Sequence, residues 1–178
     1  LPALAGSSQP EGISAASAVL ISADTGSVLY EKEAEKKLSM ASTTKIMTAL
    51  LALEEAEKEG DPTVTVTEEM VAVEGSSMGL RAGDELPLTG LAAGMLLASG
   101  NDAANAVALY LDGSQEAFAE RMNRRALEIG MSNTHFVTPS GLDDEAHYST
   151  AFDMALLARE ALKNSKFREL ASSGTYQI

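Results

Sequence analysis

No cysteine occurs among the 178 residues, which excludes disulfide frameworks, thiolate metal sites and cysteine nucleophiles. Positive charge is scarce. Thirteen Lys and Arg stand against 26 Asp and Glu, a net charge of −13, with only short basic groups such as Arg121, Arg124 and Arg125. A nucleic-acid or anionic-membrane surface would need clustered cations, so the acidity speaks to solubility instead. Long apolar runs are missing too: the weakly polar stretch 90–100 is about half the roughly 20 residues a membrane crossing requires. There is no basic segment ahead of an apolar stretch, no internal repeat and no low-complexity tract. Ala3-Leu4-Ala5 does have the small-residue spacing of a signal-peptidase site. Residues 1–5 read either as the remnant of a removed export signal or, the plain alternative, as part of an ordinary flexible N-terminus over residues 1–16, which Ser7, Ser8, Pro10 and Gly12 also support.

What remains is enough for one soluble domain with a real core, at 45% hydrophobic and 22% charged residues. The chain is organised around Ser42-Thr43-Thr44-Lys45, which opens a long helix. Ile46, Met47, Leu50, Leu51 and Leu53 give the apolar recurrence of a helix buried along one side, and Gly60-Asp61-Pro62 ends it. Before it, residues 18–22 and 28–31 read as strands around Asp24-Thr25-Gly26, a hairpin spanning 17–32. After it, Val64 and Val66 alternate with threonines as in a strand, and Thr67 with Glu68-Glu69 starts a short helix. The glycine-rich stretch 75–88 reads as a turn-rich connection. Thr89 is placed to cap a helix through Ala98, Ser99-Gly100-Asn101 breaks it, and helical spacing resumes over 102–111. Ser114 caps another helix that Gly130 stops, and Thr150 with Asp153 resembles a capping box for a helix to about Lys163. A helical turn follows from Ser165, and residues 175–178 look like the start of a further strand. The middle, 43–172, is mainly helical and packs on strands from both ends of the chain, an α/β arrangement.

Ser42 and Lys45 share a helical face, with Cβ atoms roughly 5–6 Å apart. A cation in a first helical turn opposes the helix dipole and is costly unless paired or deprotonated. A neutral Lys45 can take the proton of Ser42, provided burial lowers its pKa by roughly three units. The helix N-terminus leaves amides without intrahelical partners, so the Ser42 N–H can serve an oxyanion. The plain alternative is that Ser42 caps the helix and Lys45 is solvated. Ser99-Gly100-Asn101 is a second, separate signal: a hydroxyl and a carboxamide at a corner between helices suit proton transfer to a leaving amine and a hydrogen bond to a substrate amide. Its plain alternative is a helix end followed by a cap. His135 and His147 lack companions at ligand spacing and read as loop or core histidines, and Asp143-Asp144-Glu145 lacks the alternating donors of a calcium loop. No metal or cofactor is expected.

Met40-Ala41-Ser42-Thr43-Thr44-Lys45-Ile46-Met47-Thr48-Ala49 and Leu97-Ala98-Ser99-Gly100-Asn101-Asp102-Ala103-Ala104 resemble the first two motifs of the serine D-alanyl-D-alanine carboxypeptidases, the low-molecular-mass penicillin-binding proteins. Asp24-Thr25-Gly26, Thr138-Pro139-Ser140-Gly141-Leu142 and His147-Tyr148-Ser149-Thr150-Ala151 match the same family, so nearly the whole chain from about Ala18 is similar. The resemblance implies a penicillin-binding/β-lactamase-like α/β fold with an incomplete sheet and a helical subregion bearing Ser99 and Asn101. It implies that Ser42 attacks the carbonyl between the two terminal D-alanines of a peptidoglycan stem peptide, that Lys45 takes its proton and that Ser99 helps protonate the departing D-alanine. It implies too that Asn101 orients Lys45 and the peptide and that β-lactams acylate Ser42. One part of the pattern is absent: the family's third motif, Lys-Thr-Gly, occurs nowhere in the 178 residues. The chain is thus expected to be the front of a longer domain, truncated, nicked or continued in another chain, nearly inactive alone, its membrane helix lying elsewhere. The expected place is the bacterial cell envelope. A β-lactamase-like hydrolase and a non-catalytic wall-binding relative are the rival readings.

Overall fold

The computed structural model describes residues 12–142 and 144–177. The Ala3-Leu4-Ala5 site, Asp143 and Ile178 lie outside the described residues. A hairpin opens the described part: β1 (Ala18–Ile21) pairs antiparallel with β2 (Val28–Lys32), and the register shifts between Leu20 and Ile21. Its turn is held from the far end of the sequence, because the Arg159 guanidinium donates to the carbonyls of Ala23 and Asp24. A second small sheet pairs β3 (Thr63–Thr65) with β4 (Glu85–Pro87), so the turn-rich connection does contain one extended piece. Thr175, Tyr176 and Gln177 are irregular and belong to no strand.

Helices form the bulk: α1 (Lys45–Glu59), α2 (Glu68–Val71), α3 (Leu88–Ala98), α4 (Asn101–Asp112), α5 (Gln115–Ile129), α6 (Ala151–Ala161) and α7 (Ser165–Ala171). The cap residues explain most boundaries. Thr67, Ser114 and Thr150 each accept an amide of the first turn through their side chains, and Gly60 and Gly130 close α1 and α5 in the left-handed conformation. Thr89 departs from expectation. It lies inside α3, and Asp61 does the capping from outside by accepting both its amide and its hydroxyl.

The largest revision concerns α1. Rather than burying one side, it is buried almost all round from Lys45 to Leu53, because α3, α4, α5, α6 and α7 surround it. Two of the helices around it are rich in small buried residues, Ala92 and Ala93 in α3 and Ala103, Ala104, Ala106 and Ala108 in α4. Two of the three arginines noted in the sequence are absorbed by the same packing, while Arg124 stays exposed. Arg125 pairs with Glu54 and Glu160, and Arg121 with Asp112 and Glu55, tying α5 to α1, α4 and α6. Among the described residues no helix is long and apolar enough to cross a membrane.

Candidate active site

A short 3₁₀ turn, Ala41–Thr44, leads into α1 and carries Ser42. Ser42 is not a helix cap, since no capping bond from a side chain is made at either helix start here. Ala41 immediately before it has φ +44, a left-handed conformation that a residue with a Cβ holds only when its surroundings enforce it. The tight turn sets Ser42 at the surface and drops Lys45, three residues on, into the interior. Lys45 is 2% exposed, and its Nζ donates to Ser42 Oγ at 3.1 Å and to the carbonyl of Ser140 at 2.9 Å. Among the described residues no carboxylate pairs with it. Burial pushes the Lys45 ammonium below its usual range, because desolvation penalises the charged form and no anion offsets it.

The Ser140 carbonyl was not singled out by sequence reasoning, where residues 138–142 were only loop chemistry and a family match. Two hydrogen bonds fasten this loop to the base of α1, and a third braces the loop itself. Thr48 Oγ1 donates to Pro139 O at 2.6 Å, Lys45 donates to Ser140 O, and Gly141 N donates to Thr138 Oγ1. Gly141, at φ +84, lies so close that a Cβ there would overlap the Ala41 carbonyl oxygen. The buried His147 completes the clasp by its hydrogen bond to Thr44 Oγ1 at 2.8 Å. Its Nδ1 accepts the Val137 amide at 3.0 Å, which leaves the ring proton on Nε2 facing Thr44. Burial pushes this imidazole below its usual pKa, helped by His135 and opposed by Asp144.

Ser99 and Asn101 occupy the α3–α4 corner, where Ser99 takes φ +55 and Gly100 precedes the first turn of α4. No hydrogen bond joins either side chain to Lys45 or Ser42 among the described residues. Asn101 instead donates from Nδ2 to Glu74 O at 2.6 Å and from its amide to Ser76 O at 2.7 Å. In this structure the Lys45 ammonium bonds the Ser140 carbonyl, while the Asn101 carboxamide bonds Glu74. Asp102 secures the same connection: its carboxylate accepts from Ser77 Oγ and from the amides of Met78, Gly79 and Leu80. Burial works to raise the Asp102 pKa, but these hydrogen bonds outweigh it and hold the carboxyl below the usual range.

A carboxylate with a depressed pKa lends stability that is present above its unfolded value of about 4 and lost as pH falls through the lower folded one. Asp102→Ala is expected to cost about 2–3 kcal/mol at neutral pH, because buried donors lose a charged acceptor. Urea melts at pH 7 and pH 3 check this: the gap between wild type and variant narrows in acid, and a gap independent of pH refutes the assignment.

Among the described residues no three His, Asp or Glu side chains gather as a metal site would require. His135 is exposed and bonds the Ala146 carbonyl, while His147 is satisfied in the core.

The family model described as D-alanyl-D-alanine carboxypeptidase matches residues 5–177. D-alanyl-D-alanine carboxypeptidase DacF of Bacillus subtilis is 43% identical over 166 residues, covering 92% of this chain and 42% of the relative. The D-alanyl-D-alanine carboxypeptidase of Streptomyces sp. strain K15 is 38% identical over 162 residues, 85% of this chain and 56% of that protein. Among solved structures, penicillin binding protein 6B from Escherichia coli superposes with a TM-score of 0.89 at 32% identity, over 96% of this chain and 57% of its own. The D-alanyl-D-alanine carboxypeptidase from Mycobacterium tuberculosis gives 0.88 at 32% identity, over 96% and 64%. The chain therefore spans about half the length of these relatives, and the α/β penicillin-binding fold expected from the sequence is the one its structural neighbours have.

Proposed function

Because the chain belongs to the D-alanyl-D-alanine carboxypeptidase family, we propose that it carries the nucleophile and base of a serine-type carboxypeptidase acting on peptidoglycan stem peptides. The observation that carries the reading is the buried Lys45 amine within hydrogen-bond reach of Ser42 Oγ. Ser42 Oγ attacks the carbonyl between the terminal D-alanines while Lys45 Nζ accepts its proton. The Ser42 amide, in the first turn of the 3₁₀ helix and ahead of its first intrahelical bond, donates to the developing oxyanion. The tetrahedral intermediate collapses with cleavage of the C–N bond, and Ser99 passes a proton to the departing D-alanine amine. Asn101, which holds the 74–76 segment, orients Lys45 and the peptide. Water then releases the acyl group. A β-lactam offers the same carbonyl in a strained ring and acylates the same oxygen. The setting is extracytoplasmic, where peptidoglycan is found, and this reaction draws on no metal or cofactor.

In this reading the second oxyanion donor belongs to a Lys-Thr-Gly strand, a tripeptide absent from the 178 residues. Missing one donor lowers the rate by about 10²–10³. The 178-residue chain alone is therefore expected to take up benzylpenicillin slowly, as a single adduct on the peptide holding Ser42. Intact-mass spectrometry with peptide mapping reads this directly, and adducts scattered over surface lysines, or none at Ser42 at saturation, refute the reading. In a protein that also carries the third motif, D-alanine release with slow loss of the penicillin adduct marks the carboxypeptidase, whereas rapid penicillin turnover marks a β-lactamase.

A further inference from the structure

We infer that His147 is a positioning residue for Lys45, clasping the loop that supplies the Ser140 carbonyl to the turn that supplies Ser42. The inference rests on Lys45 acting as the base, and it assigns a task to a histidine otherwise explained as core filling. The geometry is specific. Nε2–H donates to Thr44 Oγ1, in a residue that is fully buried and adjacent to Lys45 in sequence. On the opposite side of the ring, Nδ1 accepts the amides of Val137 at 3.0 Å and Thr138 at 3.4 Å, just ahead of Pro139 and Ser140, whose carbonyls reach Thr48 and Lys45. Phe136 packs edge-on against the ring, centroids 5.8 Å apart, and fixes its tilt. A single imidazole thus bonds both segments between which the Lys45 amine is buried. A core histidine serving only packing would not need to have each ring nitrogen engaged by a different wall of the site.

The charged groups around the ring are few. Asp144 and His135 act on it from the segments on either side, and Lys45 lies beyond Thr44 on α1. The neutral ring with its proton on Nε2 is the one form that satisfies both walls, since a protonated Nδ1 would oppose the Val137 N–H.

Removing the clasp lets the 137–141 loop swing from α1 and admits water to Lys45. That water replaces the Ser140 carbonyl as hydrogen-bond acceptor, so the net change is regained hydration, which favours the ammonium. The experiment is a titration of ¹³C-labelled lysine in the 178-residue chain, following Lys45 Cε by NMR, with benzylpenicillin acylation of Ser42 measured in parallel. In His147→Ala the Lys45 midpoint is expected to rise by about one pH unit and acylation at neutral pH to slow about tenfold, the corresponding loss of free amine. His147→Gln should restore both, because a carboxamide presents an acceptor and a donor at nearly the separation of the two ring nitrogens. A folded His147→Ala protein whose Lys45 midpoint is unmoved overturns the proposal. Should that variant not fold, Thr44→Val cuts the Nε2 bond while keeping side-chain volume and ring, and an unmoved midpoint there overturns it equally. A wild type in which Lys45 titrates at the ordinary value and Ser42 takes no penicillin would instead refute Lys45 as base, a result distinct from a lowered midpoint that ignores His147.

Discussion

Lys45→Met is expected to abolish measurable acylation at Ser42 while leaving the fold in place. The methionine stem fills most of the space of the lysine stem, so the packing of α1 against α3 and α4 survives. What goes is the group proposed to accept the Ser42 proton, and general-base assistance of this kind is worth about 10²–10⁴ in rate. Penicillin uptake by mass spectrometry and far-UV circular dichroism together check the result: a variant with native dichroism that acylates at the wild-type rate would remove Lys45 from the chemistry. The wild type adds a pH signature. Since burial lowers the Lys45 pKa, the free amine appears below the usual lysine range, and acylation rises with pH through that lowered value. In Lys45→Met this rise is absent.

Gly141→Ala is the substitution with the largest expected effect on stability. Two penalties coincide at this position: a left-handed backbone at φ +84, and a Cβ that would overlap the Ala41 carbonyl and press on Thr44 Oγ1. The first is worth about 1–2 kcal/mol and the second about 1–3 kcal/mol, for an expected loss of about 2–5 kcal/mol. Gly60→Ala is the internal control. Gly60 has φ +78 but nothing within 4 Å of the added carbon, so only the conformational part applies. Urea midpoints separate the two, and equal midpoints would show that the loop yields freely. Gly141→Ala also moves Ser140, so acylation should fall with stability, whereas Gly60→Ala at the far end of α1 leaves it unchanged.

Much of this was legible before any coordinates. Turn residues and caps act locally, so Thr67, Ser114, Gly60 and Gly130 marked their helices correctly, and the three-residue spacing of Ser42 and Lys45 put them within one hydrogen bond. What escaped depends on contacts distant in sequence. The all-round burial of α1 is not in its own periodicity, because Thr48 and Lys45 are polar and are buried only where the Pro139 and Ser140 carbonyls meet them. Thr89 looked like a cap because its residue type suits one, and the true acceptor, Asp61, lies 28 positions earlier. Asp102, beside the conspicuous Ser99-Gly100-Asn101, organises the 77–80 segment through four separate donors there, a task invisible in a helix-forming alanine-rich stretch. For the same reason the residue holding Lys45 turned out to be a backbone carbonyl, a group that every position possesses and no motif can flag.

The clasp over Lys45 also bears on the order in which the molecule matures. Its contacts bridge 91, 95 and 103 positions along the chain, whereas the Ser42–Lys45 contact bridges three. Closing loops of that length is entropically slow, while a helical turn closes almost at once. During folding the hydroxyl and amine are therefore neighbours long before the amine is dry. On the proposed reading, Ser42 is expected to become reactive only once the 137–141 segment has docked on α1 and taken Lys45 out of water.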